Sequence, residues 1–342
     1  MENGVEELEL ELFVECGLVY QDNYIFPHKL LASPSLKSLK VLHFKNVNVT
    51  GEILEHFLSN CPFLEWLTVN ASRNLGNFRV VGPSIALKYL VIKYCPQESI
   101  QKPNETIRIC DTNLVSFTFI GGERDLLLTN VPFLVEVSIS EYDLRTELIT
   151  LVFSQLSCCL SQLQILTLDI TPSVSSFFLG PGYEVYNNKN QEFPMLENLK
   201  HLVLIVEAGY PWVLHQLAFF MKASPFLERL VLKLPFPTPR FWQRPDQRRK
   251  IEKSFKCQHH FLKVVEIIGY RGRADTHVMF ITRNAVSLEK IVIDPVRRWL
   301  FPRGMDTDRG IKEIAKEVKA RAHAMQKLKE KLPSTIEFVC LK

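Results

Sequence analysis

Cysteine and histidine side chains come closest together near residue 260, where Cys257, His259 and His260 could act as metal ligands. A structural zinc site uses four such side chains in tetrahedral geometry. This segment offers three, so a fourth ligand would have to come from elsewhere in the fold. We therefore interpret the cluster as a surface segment that leads into a strand at Leu262, with a metal site as the less favoured alternative.

Other motifs that carry chemistry are incomplete or missing. Asp306 and Asp308 resemble the start of a calcium loop, but its third ligand and its terminal glutamate are lacking. Gly180-Pro-Gly182 lacks the strand and helix of a dinucleotide loop and is interpreted as a turn. The sequence contains no phosphate loop, no nucleophile elbow and no His-Glu-x-x-His pair. We predict a protein that is not an enzyme, with no catalytic residue, no cofactor and no metal.

The composition narrows the class of protein further. The 342 residues are 46% hydrophobic, and 41 basic against 37 acidic side chains leave a formal charge of +4, which argues against a nucleic-acid partner. The acidic N-terminal residues do not resemble a secretory signal, and no segment has the length of apolar sequence that a membrane helix needs. Eight scattered cysteines are interpreted as reduced thiols. The sequence therefore predicts a soluble protein of the cytoplasm, the nucleus or both, without a membrane partner.

Leucine is abundant, with 46 copies, and it recurs in the pattern apolar-x-x-apolar-x-apolar. The first copy is Val5, Leu8 and Leu10. Ten further copies start 20 to 36 residues apart, at Leu39, Leu64, Leu87, Leu114, Leu134, Leu163, Leu199, Leu227, Leu262 and Leu288. A short strand that recurs at such intervals is typical of leucine-rich repeats.

A longer sequence similarity between four segments supports the repeat. Asn60–Val69, Asn130–Ile139, Ala223–Leu232 and Asn284–Ile293 align without gaps, and the first three share Pro-Phe-Leu before the strand. Apolar residues at helical spacing precede three of them, so the order is helix, stop, strand. Stacked units bury a common core that one unit alone cannot bury. We predict an α/β leucine-rich-repeat solenoid, or horseshoe, with a parallel sheet on the concave face and helices on the convex face.

Alternation along each strand decides which side chains reach the concave face. In the strand around Leu67 and Val69, these two side chains point to the core, and the residues between them point outward. Exposed aromatic and arginine side chains contribute most to protein interfaces, so Trp66 and Tyr89 lead our predicted partner-binding set. The full set is Trp66, Thr68, Tyr89, Lys93, Glu136, His201, Arg229, Lys233 and Lys290.

The C-terminal part has a different character. Residues 236–256 are polar and carry seven basic side chains, which we interpret as a solvated connector, with a nucleic-acid patch as the alternative. After two more strands, Asp308 can cap a helix over about 310–332. Its apolar residues form one stripe, and a closing strand over 334–341 follows. The stripe consists of Ile311, Ile314, Val318, Ala322, Met325 and Leu328.

The chain resembles the plant F-box/leucine-rich-repeat proteins with a C-terminal FBD-like region. The resemblance rests on five segments, which are 35–42, 58–65, 196–203, 261–270 and 284–295. It implies repeats over 1–235, followed over 236–342 by the basic connector, FBD-like repeats and a capping helix and strand, continuous with the solenoid. In that family the repeats recruit a target protein, and an N-terminal F-box binds the Skp-type adaptor of a cullin ubiquitin ligase.

The F-box itself has no counterpart in this sequence, because repeat-like sequence begins at Val5. A Skp-type adaptor is therefore expected as a partner only if an F-box lies upstream. We expect a non-catalytic protein-recognition module that resembles the substrate-binding part of an F-box receptor. The alternative is an F-box-less repeat protein, a scaffold or decoy that binds partners without directing ubiquitination.

Overall fold

A computed structural model describes most of the chain, and its described residues form two compact units, 1–163 and 164–342. The described ranges are 5–12, 25–27, 34–82, 85–96, 105–122, 124–141, 148–170, 194–206, 211–235, 258–272, 274–297 and 307–342. The basic connector, Cys257, the Gly180 turn and Asp306 lie outside them. The predicted division at 235/236 therefore stays a prediction.

The first unit contains nine strands and two α-helices among its described residues. The strands are β1 (Glu7–Glu11), β2 (Val41–Lys45), β3 (Trp66–Asn70), β4 (Phe78–Val81), β5 (Tyr89–Lys93), β6 (Thr106–Cys110), β7 (Ser116–Gly121), β8 (Asp125–Thr129) and β9 (Glu136–Glu141). The helices are α1 (Gly51–Asn60) and α2 (Leu148–Gln155). Its main sheet is parallel, in the order β1-β2-β3-β5-β7-β9.

The second unit continues the same scheme within its described residues. Its strands are β10 (Ile165–Asp169), β11 (His201–Ile205), β12 (Arg229–Lys233), β13 (Val264–Ile268), β14 (Lys290–Asp294) and β15 (Glu337–Cys340), and they pair in parallel in chain order. Its helices are α3 (Pro211–Ala223), α4 (Asp275–Asn284) and α5 (Thr307–His323). In the described part of the chain, no helix combines the length and apolar character that crossing a membrane requires.

All eleven predicted strand copies are present, and each strand begins two residues after the start of its copy. In the ten copies that start with leucine, this leucine is buried in the core, as Leu39 and Leu64 are, whereas Val5 at the start of the first copy is exposed. Within strands such as β2 and β5 the second and fourth side chains are buried, and the first, third and fifth are turned to the opposite side. Alternation along the strand thus places the recurring apolar residues in the core of each unit.

A repeated backbone pattern sets the register between neighbouring strands. Before most strands of the main sheets, the preceding residue accepts two hydrogen bonds on its carbonyl oxygen from the next repeat. The Glu65 carbonyl, for example, accepts the N–H groups of Lys88 and Tyr89, both at 2.9 Å. The same arrangement recurs at Lys40, Lys88, Val115, Gln164, Lys200, Glu228 and Lys263. Consecutive strands therefore begin at equivalent positions, which brings equivalent side chains side by side.

The turns that leave the strands also repeat. Asn46, Ala71 and Tyr94 each follow a main-sheet strand with φ near +55°, the left-handed region that is costly for a residue with a Cβ atom. Their N–H groups bond to the last residues of the next strand, at Asn70, Lys93 and Ile120. These hydrogen bonds hold the chain in a conformation that an isolated turn would not favour.

The expectation of a helix behind every strand is wrong for three repeats of the first unit. The connections from β3 to β5, from β5 to β7 and from β7 to β9 contain β4, β6 and β8 instead, which form a second parallel sheet. The physical reason is apolar alternation with period two, which buries every other side chain against the core. The buried residues are Phe78, Val80, Ile107, Ile109, Leu126 and Leu128.

The C-terminal helix is present, and most of its apolar stripe is exposed. Helix α5 covers Thr307–His323, and a π-helical segment followed by a 3₁₀ turn extends it to Lys331. Of the stripe, only Leu328 is buried, and all five other members are exposed. A different face, with Ala320 and Ala324, packs on the unit. The predicted closing strand is confirmed as β15.

Candidate protein-interaction face

The open face of each main sheet consists of the first, third and fifth side chains of its strands. All nine sequence-predicted binding residues lie at such positions. The first unit holds Trp66 and Thr68 on β3, Tyr89 and Lys93 on β5, and Glu136 on β9; the second unit holds His201 on β11, Arg229 and Lys233 on β12, and Lys290 on β14. The register prediction for these residues is confirmed, and their role in binding stays a prediction.

Aromatic rings meet at the centre of the first unit's open face. Trp66 and Tyr89 are direct neighbours in the β3/β5 register, and their rings stack with centroids 4.6 Å apart and planes inclined by 25°. His43 approaches Trp66 edge-on at 6.4 Å. The indole Nε1–H donates to Thr68 Oγ1 at 3.1 Å, which fixes the orientation of the ring. Trp66 is still 39% exposed, so a large, oriented apolar surface faces solvent.

Charged side chains beside this cluster are largely paired. Lys45 bonds to Glu11 across the β1/β2 pair. At the start of the strands, Lys88 bonds to Glu65 at 2.8 Å, and this hydrogen bond and the glutamate charge raise the pKa of the lysine. Lys93 forms no ion pair with any residue that the structure describes. The aromatic cluster therefore has one uncompensated cation on its own strands.

The four predicted residues of the second unit lie in a different setting. Arg229 Nη2 is 2.5 Å from Glu266 Oε1, and Lys290 Nζ is 2.8 Å from Glu337 Oε1. Burial lowers the pKa of Lys233, although the charge of Asp169 acts in the opposite direction.

Val203 and Val231, at open-face positions of β11 and β12, are only 8% and 4% exposed. Among the described open-face positions, the accessible aromatic side chains therefore belong to the first unit. The second unit contributes paired charges around a buried centre.

One of the two histidines that suggested a metal site, His259, has a structural role. His259 is buried, and its Nε2 lies 2.8 Å from the Ser224 carbonyl, which it must donate to. Its Nδ1 accepts the N–H groups of Phe261 and Leu262, at 3.3 and 3.0 Å. Burial lowers the pKa of this imidazole. His260 is exposed, and among the described residues no three potential ligands come together.

Sequence reasoning missed a second set of exposed aromatic residues. Phe63, Phe133, Phe226 and Phe261 each lie three residues before a strand and are 46–60% exposed. Phe226 and Phe261, on adjacent repeats, meet edge-to-face with centroids 5.1 Å apart. For Phe63, Phe133 and Phe226 the sequence carried a signal, because each precedes a core leucine in the shared Pro-Phe-Leu segment.

The cysteines in the described ranges are free thiols, as the scattered spacing predicted. Cys95 and Cys159 are buried, and burial raises their pKa values to about 11 and about 12. Such thiols stay protonated near neutral pH and are poor nucleophiles. They fill space in the core and have no arrangement suited to catalysis.

Comparison with protein families matches residues 32–342 to the family described as At1g61320/AtMIF1, LRR domain. No curated protein matches the chain. The match agrees with the parallel sheets of recurring strands, and the predicted α/β leucine-rich-repeat fold is confirmed. Such domains are generally non-catalytic modules for protein–protein interaction. Because the match covers most of its length, the chain belongs to the leucine-rich-repeat domain family of At1g61320/AtMIF1.

Proposed function

We propose that the chain is a recognition module that binds a target protein on the open face of its first unit. Trp66 and Tyr89 form the central contact, with Thr68, Lys93 and Glu136 around them. The single observation that carries the proposal is the stacked, partly exposed Trp66–Tyr89 pair on regular, rigid strands. Aromatic anchors held in one orientation lose little conformational freedom on binding and dominate interface energies.

We further propose that the target is recruited for ubiquitination. The support is the resemblance of the sequence to F-box proteins with FBD-like C-terminal repeats, in which the repeats select the substrate. In this account a Skp-type adaptor joins through an F-box encoded upstream, and the protein works in the cytoplasm, the nucleus or both. The chain itself supplies shape and side-chain complementarity and no chemistry.

Proximity labelling in cells tests the recognition proposal, with wild type and a Trp66→Ala/Tyr89→Ala variant compared. We expect the variant to lose a defined subset of labelled partners at equal expression. A Val81→Thr/Leu127→Thr variant is the matched control, because both side chains are about half exposed on the second sheet. An unchanged partner set in the aromatic variant would remove the assignment of the site.

A second candidate function is a scaffold or decoy that binds partners without directing ubiquitination. It is supported by the family match to a repeat domain, which binds partners without needing an adaptor. Pull-downs with a chain extended to the upstream coding sequence separate the two functions. Recovery of a Skp-type adaptor and a cullin supports the ligase receptor, whereas target binding without them supports the scaffold.

A further inference from the structure

Ion pairs connect the C-terminal helix α5 to the second unit. Arg271 Nη2 lies 3.2 Å from Glu313 Oε2 and 3.6 Å from Glu317 Oε1. One turn and more beyond, His323 Nε2 lies 3.1 Å from Asp275 Oδ2. These contacts fix which side of the helix faces the unit, and that side is not the one with the most apolar residues.

Few apolar side chains lie on the packed side of the helix, and the side with more of them is exposed to solvent. Ala320, Ala324 and Leu328 are the buried side chains. The stripe of Ile311, Ile314, Val318 and Met325 is 67, 58, 57 and 45% exposed. Residues three and four apart lie on one face of a helix, so these four form a continuous aliphatic surface. A contiguous exposed surface of this kind marks an interaction site more often than scattered single residues do.

The surroundings of the stripe indicate the kind of partner. On a helical wheel Ala315 and the stripe member Ala322 lie directly beside these four large side chains, and both alanines are exposed, so a partner can approach closely there. Beyond the alanines follow Lys312 and Lys319, which form no ion pair within the described residues. Around the helix, the aliphatic side chains are thus followed by alanines and then by lysines. This arrangement complements a helix with an apolar seam and acidic residues along one flank.

Other occupants fit this surface less well. Antiparallel pairing of two copies would bring the Lys312 and Lys319 flank of each helix against the same flank of the other. A membrane surface would favour tryptophan or phenylalanine at the interface, and the stripe contains neither. We propose that the exposed stripe of α5 binds an acidic amphipathic helix of a partner protein. This site is separate from the open face and does not depend on the function proposed for it.

The test uses the full chain and two synthetic helical peptides with the same apolar seam. One peptide carries glutamate on its flanks and the other carries lysine, and binding is followed by fluorescence anisotropy. We expect the acidic peptide to bind at least about tenfold more tightly than the basic one, with an affinity that falls as salt is added. An Ile314→Gln/Val318→Gln variant should weaken binding of the acidic peptide by about tenfold or more. A Lys312→Glu/Lys319→Glu variant should reverse the preference between the peptides.

Two further measurements address the competing occupants. The Val81→Thr/Leu127→Thr variant removes comparable apolar surface from the other unit and should bind the acidic peptide as wild type does. The proposal is overturned if the peptides bind equally, or if the glutamine variant binds like wild type. It is also overturned if the stripe binds phosphatidylserine vesicles and not the acidic peptide. Stripe-dependent self-association in sedimentation equilibrium, without peptide binding, would overturn it as well.

Discussion

At the scale of single residues, the open face of the first unit depends on neighbours in register. Trp66 stacks on Tyr89 because their strands begin at equivalent positions, and the Thr68 hydroxyl orients the indole. An aromatic pair of this kind contributes roughly 0.5–1.5 kcal/mol beyond the area it buries. The pair is therefore pre-arranged before any partner arrives.

Alternation along the strand was sufficient to predict that Trp66 and Tyr89 point outward. The same rule placed Val203 and Val231 on the open face, and it could not predict that they are buried. Whether an outward side chain is accessible depends on what lies over it, and the strand period carries no information about that. The exposed Phe226 was missed for a related reason, since an apolar residue next to a core leucine is ordinarily assigned to the core.

His259 should make the stability of the protein dependent on pH in the mildly acidic range. Its neutral imidazole donates once and accepts twice, and burial lowers its pKa below the ordinary value of 6.5. The unfolded chain therefore binds a proton before the folded chain does, so this contribution is complete above about pH 6.5 and is lost as the pH falls. The loss is at most about 1.4 kcal/mol per pH unit.

Chemical denaturation at a series of pH values from 8 to 5 measures this effect. We expect the denaturation midpoint to fall less steeply with acid in His259→Gln than in wild type. His260→Gln is the matched control, because His260 is adjacent and exposed, and it should follow wild type. Equal pH dependence in all three proteins would contradict the role assigned to His259.

Arg124 is the second residue with a strong predicted effect. Its side chain is 1% exposed, lies 2.5 Å from Glu105 Oε2, and donates to the carbonyls of Gly76 and Pro96. Burial lowers the pKa of this guanidinium, and the Glu105 charge opposes that shift. Removing the arginine would leave a largely buried carboxylate without its partner, which typically costs about 3–5 kcal/mol.

We expect Arg124→Met to lower the denaturation midpoint strongly, and Arg124→Met/Glu105→Leu to recover part of the loss. The recovery follows because the double variant buries no uncompensated charge. Partial recovery is a readout that general damage to the fold would not give. A double variant no more stable than the single one would show that the ion pair is not the source of the effect.

At the scale of elements, the main strands could be predicted and the connecting elements only in part. The strands follow from a leucine pattern that recurs in every repeat. Strands β4, β6 and β8 were missed because alternation over only four or five residues is a weak signal. That alternation is visible, for example, at Phe78 and Val80. For α5, the apolar stripe indicated the helix correctly but not its packing face, where Arg271 lies beside two carboxylates.

Helix α1 depends on a close approach that only glycine permits. A Cβ atom on Gly51 would lie 1.8 Å from the backbone oxygen of Asn77, and backbone there cannot move away without disturbing β4. The first turn is also held by Thr50 Oγ1, which accepts the Ile53 N–H at 3.3 Å. We expect Gly51→Ala to lower the free energy of unfolding by about 2–3 kcal/mol through overpacking.

Thermal melting of Gly51→Ala beside Gly122→Ala measures this directly. Gly122 has open space around the position of a Cβ atom, and its φ is not in the left-handed region, so its variant should melt close to wild type. Equal melting temperatures for the two variants would mean that the α1/β4 contact is looser than described.

At the scale of the whole molecule, one repeating unit accounts for both compact units. Each repeat supplies a strand, a double hydrogen bond at its start and buried leucines, and specificity is left to the side chains between the leucines. This division of labour is general for repeat proteins, in which neighbouring units stabilise one another and a regular surface displays variable residues. In this chain two surfaces stand out, the Trp66–Tyr89 face and the aliphatic stripe of α5.

The affinity of the full chain for a partner identified by proximity labelling tests the central claim most directly. Titration calorimetry compares wild type with Trp66→Ala/Tyr89→Ala, after melting curves have shown equal stability. We predict at least about a tenfold rise in Kd for the variant, equivalent to about 1.4 kcal/mol or more. An affinity equal to that of wild type would contradict the claim that this face recognises the target.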